Sequence, residues 1–132
     1  MNRPCREHLP DDRQAVTRKL TLRVPGEYDV QEITVYATVG LYPDGRVAEL
    51  FLKVDRQGST ISGFADAVAM CISIGLQYGV PLEAFVSKLR HQRFEPVGRT
   101  GDPEQPAASS LLDLVAGWLE RRFGRKEPTD GR

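Results

Sequence analysis

The sequence predicts an α+β domain, in which an antiparallel sheet of at least three strands is packed by helices in a two-layer arrangement. Between Thr17 and Val54, apolar and polar residues alternate with the period of half-buried strands. The turns between these runs are too short for the crossovers that parallel strands require. From Ile61 onward the apolar period becomes helical, so strands come first and helices after, the order of an α+β chain.

The elements follow in order. Residues 1–16 are polar, carry Pro4, Pro10 and the pair Asp11-Asp12, and are expected to form an extended arm. Leu20, Leu22 and Val24 alternate with Lys19, Thr21 and Arg23 in a first strand, which Pro25-Gly26-Glu27 breaks. Ile33, Val35, Ala37 and Val39 mark a second strand. Pro43-Asp44-Gly45 turns the chain, because proline fixes φ and glycine takes the left-handed position. Val47 to Val54 returns as the third strand.

A helix over Ser59–Tyr78 is expected next. Its apolar face is read as Ile61, Phe64, Ala65, Val68, Ile72 and Leu76, with Ser59 or Thr60 as N-cap. Met70 and Cys71 on it are read as core, and its small residues allow it to approach one face of the sheet closely. Pro81 opens a second helix with Leu82, Phe85, Val86 and Leu89 inward. A Gly- and Pro-rich loop is expected from Arg93 to Pro106. The last helix starts at Ser110, with Asp113 three residues on as a capping box, and buries Leu111, Leu114, Val115, Trp118 and Leu119. One domain over 17–123 and a disordered tail over 124–132 complete the expected organisation.

Composition narrows the function. The 132 residues are 40% hydrophobic and 27% charged, as in a globular domain. Eighteen basic against eighteen acidic residues give zero formal net charge, which argues against a protein that coats DNA or RNA. The start lacks an apolar signal segment, and the stretch Ala67–Leu76 is too short to cross a bilayer. A soluble, cytoplasmic protein is therefore expected. The two cysteines, Cys5 and Cys71, have no thiol or histidine beside them in sequence, which leaves no CxxC pair and no structural zinc motif. No cofactor is expected.

Two clusters are candidate ligand sites. Gly58, Ser59, Thr60, Ser62 and Gly63 lead into the first helix, whose unpaired N–H groups and dipole suit a phosphate; the competing reading is an ordinary cap. The cluster lacks a P-loop lysine, so triphosphate hydrolysis is not implied. Arg90 and Arg93, flanking His91 and followed by Phe94-Glu95-Pro96, form a cationic edge with a ring to stack on a base; the competing reading is a helix end whose basic residues complement the dipole. His91 has no second ligand at metal-binding spacing. Asp11, Asp12, Glu49 and Asp55 show no pairing that suggests acid–base catalysis. Arg121, Arg122, Arg125 and Lys126 form a basic patch too small to imply nucleic-acid binding in a neutral chain.

Several segments, in one order, resemble the C-terminal TSCPD-type domain of adenosylcobalamin-dependent ribonucleotide reductases. They are Leu9-Pro10-Asp11-Asp12-Arg13 with Thr17-Arg18-Lys19, Val39-Gly40-Leu41-Tyr42-Pro43-Asp44-Gly45, Glu49-Leu50-Phe51, Gly58 to Gly63, and Leu76-Gln77-Tyr78-Gly79-Val80-Pro81-Leu82. Arg93-Phe94-Glu95-Pro96, Thr100-Gly101-Asp102-Pro103-Glu104 and Ser110 to Leu119 complete the set. The resemblance implies a module whose radical chemistry belongs to a barrel upstream and whose reducing cysteines lie downstream, neither of which this sequence contains. The leading expectation is a non-catalytic module that docks on a reductase or another nucleotide-handling protein, or self-associates as a homo-oligomer. A nucleotide-binding protein using the Gly58–Gly63 turn is the alternative. A split subunit of a ribonucleoside-diphosphate reductase is the third.

Overall fold

A computed structural model describes residues 4–55 and 59–124, with Ser59 described through its backbone. The strands are β1 (Ala15–Pro25), β2 (Val30–Leu41), β3 (Val47–Asp55), β4 (Gly98–Asp102) and β5 (Gln105–Ala108). The helices are α1 (Ser59–Gln77), α2 (Leu82–Leu89) and α3 (Leu111–Phe123). The five strands form one antiparallel sheet in the order β3-β2-β1-β4-β5.

The alternation read from the sequence sets which way the sheet faces. Leu20, Leu22, Ile33, Val35, Ala37, Val39, Leu50, Leu52 and Val54 are buried and meet Ile72 and Leu76 of α1, Val86 of α2, and Leu114, Trp118 and Leu119 of α3. The opposite face is polar at its centre. Thr17 and Thr38, paired across β1 and β2, share a 2.8 Å hydroxyl hydrogen bond there. The Tyr42–Arg46 turn has the expected form: Gly45 sits at φ +92°, and its N–H donates to the Tyr42 carbonyl at 2.8 Å.

Three features depart from the expected pattern. The Arg93–Pro106 stretch contains β4 and the first half of β5 as well as loop. These strands lack apolar alternation; they join the sheet because Gly98 fits against the backbone carbonyl of Arg23, where a Cβ would collide. Phe64, Met70 and Cys71, assigned to the core, are exposed, Phe64 by 70% and Met70 by 62%. A helix apolar on nearly every side does not reveal by periodicity which stripe faces inward. The capping box is half formed: Ser110 Oγ accepts the Asp113 N–H at 3.0 Å, while the Asp113 carboxylate reaches the N–H of Ser109.

α1 closes the outer edge of β3. Ser73 Oγ accepts from the Leu50 N–H at 2.8 Å and donates to the Leu50 carbonyl at 3.0 Å. Gln77 Nε2 donates to the Ala48 carbonyl at 3.1 Å. These bonds occupy backbone groups that an edge strand would otherwise offer to another chain. Residues 4–14 form neither helix nor strand, whereas Ala15 and Val16, expected in the arm, open β1. The arm is tied down: Glu7 N–H donates to the Gln77 carbonyl at 2.8 Å, and Tyr42 Oη donates to the Glu7 carbonyl at 2.7 Å. The tail read as disordered begins at Gly124, and residues 125–132 lie outside the described residues.

Candidate functional site

The outer side of α1 is the most unusual surface of the molecule. Asp66 is the sole charge in this 19-residue helix. Only one side of the helix is covered, by β3 and α2. The 18-residue window Thr60–Gln77 is long and apolar enough to cross a membrane by length and composition, well beyond the Ala67–Leu76 stretch read from sequence, and only 22% of it is buried. Ser73 and Gln77 bind that helix to the sheet edge. On the free side, Phe64, Met70, Ile74 and Tyr78 are exposed by 70, 62, 40 and 46%. Gly63, Ala67 and Cys71 lie exposed between them.

An apolar groove of about 330 Å³ runs between α1 and α2, lined by Phe64, Ala67, Cys71, Phe85, Lys88 and Leu89. It is shallow because the helices approach closely: the Phe85 ring occupies the space a Cβ on Gly75 would need. The scarcity of charge over 19 residues was visible in the sequence; the side it would leave open was not.

The first turn of α1 lies beside a cleft of about 820 Å³, whose lining includes Ile61, Arg93, Phe94, Val24 and Gln31. Folding thus brings Arg93 and Phe94 to the same cleft as the helix start. Thr60 and Gly63 are exposed and Ser62 half-buried, but of α1 only Ile61 lines the cleft, whereas Gly58 and the Ser59 side chain lie outside the described residues. Arg90 is employed elsewhere. Its Nη1 donates to Asp113 Oδ1 at 2.7 Å, and its Nε lies 3.6 Å from Glu120. Asp113 is only 2% exposed and also accepts the N–H groups of His91 and Ser109. These bonds pin the end of α2 to the start of α3.

The acidic candidates have separate surroundings. Glu49 is buried and takes Arg13 Nε at 2.6 Å and Arg13 Nη2 at 3.3 Å, a bidentate pair that holds the arm over the sheet. Asp11, Asp12 and Asp55 are exposed. Among the described residues, no group of three His, Cys, Asp or Glu side chains is placed to hold a metal. In the neighbouring turn, Arg46 lies 4.6 Å over the Tyr42 ring and pairs with Glu7 and Asp44. Burial, then the Glu7 charge, raises the Tyr42 phenol above its usual range. The Arg46 N–H and guanidinium hold the Asp44 carboxyl below its usual range. Of the basic patch, Arg121 pairs with Asp102 and Glu104 and Arg122 lies over the Phe123 ring; Arg125 and Lys126 lie outside the described residues.

Comparison with known proteins gives a single family. The TSCPD domain family matches residues 6–123. A vitamin B12-dependent ribonucleotide reductase of Rhodopirellula baltica is 44% identical over 121 residues, which are 92% of this chain and 11% of that protein. The enzyme of the same name from Streptomyces avermitilis is 43% identical over 113 residues, 86% of this chain and 11% of its own. That from Agrobacterium fabrum is 39% identical over 111 residues, 83% of this chain and 8% of its own. The chain thus spans about a tenth of the length of these curated relatives. No solved structure matches.

Proposed function

The chain belongs to the TSCPD domain family, and from that premise we propose that it is a non-catalytic module of the ribonucleotide-reductase type that works by association, its own copy being the partner on the outer side of α1. The observation that carries this reading is the exposed, apolar stripe from Gly63 to Tyr78, in which Asp66 is the one charge. Its four large side chains leave on the order of 400 Å² of apolar surface in water, about half of what one partner contributes to a standard interface.

A second copy suits the stripe for three reasons. Large residues (Phe64, Met70, Ile74) alternate with small ones (Gly63, Ala67, Cys71), so two antiparallel copies can set knobs into each other's holes. Asp66 and the groove's Lys88 carry opposite charges, which an isologous pairing can bring together. The zero net charge adds no repulsion between copies. The other common route, strand addition, is closed at β3 by Ser73 and Gln77.

Light scattering across a concentration series tests this. The wild-type chain is expected to dimerise, and Ala67→Glu, a change at an exposed helical position, to be monomeric with an unchanged circular dichroism spectrum. A monomeric wild type, or an Ala67→Glu variant that still dimerises, overturns the reading. A monomer that instead binds a separate barrel-type reductase chain would reassign the stripe to that partner. A pure chain that converts any ribonucleotide to its deoxy form would refute the non-catalytic half.

The cleft beside the first turn of α1 supports a second reading, a nucleotide-binding protein. Phosphate would meet Thr60, the free N–H groups and Arg93, with Phe94, 42% exposed, offered to a base. Arg90 has no part in it. Thr60→Val and Arg93→Gln would each weaken nucleotide binding about tenfold if this site is used.

A further inference from the structure

The outer face of the sheet holds a second feature, independent of α1. Arg23 and Arg99 stand directly opposite each other at the one residue pair that joins β1 to β4. Like charges in that relation destabilise a sheet unless something neutralises them. Glu32 on β2 comes no closer than 3.6 Å to Arg23, with both side chains 57% exposed, too long and too wet a contact to do so. Arg99 is exposed and makes no side-chain hydrogen bond or ion pair among the described residues.

The juxtaposition is built into the backbone. Gly98 lies against the carbonyl of Arg23 so closely that any side chain would force β4 away. The chain thus places a bare residue at the contact and an arginine immediately after it. Beside the two guanidinium groups opens a cleft of about 570 Å³, walled by Pro25, Val30, Pro103 and Pro106. Three of these walls are proline rings, which are stiff and bring no N–H group that a ligand would have to satisfy. Asp102 also lines the cleft, but its carboxylate is shared by Arg18 and Arg121 at 3.4 Å each, so it adds little net negative charge.

We infer that this cleft binds an organic phosphate, with the phosphoryl group bridging Arg23 and Arg99 and the ligand body lying on the prolines and Val30. Two guanidinium groups present paired N–H donors that match the several oxygens of a phosphate better than the two of a carboxylate. A phosphate alone fills a small part of the cleft, whose volume is that of sites for molecules of nucleotide size. The ligand would also remove the repulsion between the two arginines, so its binding stabilises the fold.

Calorimetric titration of the full chain with ADP, inorganic pyrophosphate and adenosine tests the inference. ADP and pyrophosphate are expected to bind and adenosine to bind at least about tenfold more weakly. Arg23→Gln and Arg99→Gln should each weaken ADP binding about tenfold or more, while Lys53→Gln, an exposed charge on β3 outside both clefts, leaves it unchanged. The melting temperature of free Arg99→Gln should equal or exceed that of the wild type, since a repulsive charge is gone; an arginine kept for structure would lower it. Failure of ADP and pyrophosphate to saturate at millimolar concentration overturns the proposal. So does wild-type affinity in both the Arg23 and Arg99 variants, or a loss confined to Arg93→Gln.

Discussion

Arg90 closes on Asp113: its Nη1 donates to Oδ1 at 2.7 Å, and the same oxygen accepts the His91 backbone N–H at 2.8 Å. Asp113 is almost wholly buried, so removing the guanidinium would strand a carboxylate in a dry site. Arg90→Ala is expected to cost about 3 kcal/mol in urea unfolding. Arg90→Lys should restore only part of this, because an ammonium cannot reproduce the guanidinium geometry. If Arg90→Ala left stability untouched, the residue would again be a candidate for ligand binding.

Gly40 is held to glycine by a side chain on the next strand. The Glu49 carboxylate lies where a Cβ on Gly40 would stand, and this position lets it reach Arg13. Gly40→Ala should cost about 2 kcal/mol by overpacking and release the arm. The double variant Gly40→Ala with Glu49→Ala should cost less than the sum of the two, since the clash is then absent. Strict additivity in a denaturation cycle would show that the two residues do not compete for that space.

Tyr42 predicts an alkaline dependence. Its folded-state pKa is raised, so the neutral phenol contributes stability that is complete below about pH 10 and is lost as pH climbs through the folded-state value. Tyr42→Phe should lose about 1 kcal/mol at neutral pH with the bond to the Glu7 carbonyl. The variant should also show a flatter stability profile above pH 10 than the wild type. Equal slopes in the two proteins would assign the alkaline loss to another group.

Cys71 is exposed on α1, so Cys71→Ala should change stability by no more than about 0.5 kcal/mol, where a core thiol would leave a cavity. If copies pair through this side of α1, alkylation of Cys71 should be slower in the wild type at high concentration than in monomeric Ala67→Glu. Identical rates would argue against the pairing.

The sequence by itself determined the strands β1 to β3, the turn at Pro43-Asp44-Gly45, the three helices and the family. Those features rest on local periodicity, turn chemistry and ordered motifs, all written along the chain. What lay between Arg93 and Pro106 was different, because β4 and β5 carry no periodic signal; a glycine's fit against Arg23 seats them in the sheet. The fate of the arginines was likewise decided in three dimensions. Arg90 met a carboxylate 23 positions away, Arg93 turned to a cleft beside α1, and Arg99 came to face Arg23 across two strands. Only packing chose which side of α1 would be covered, since nearly every side of that helix is apolar enough to be buried and the sheet has room for one.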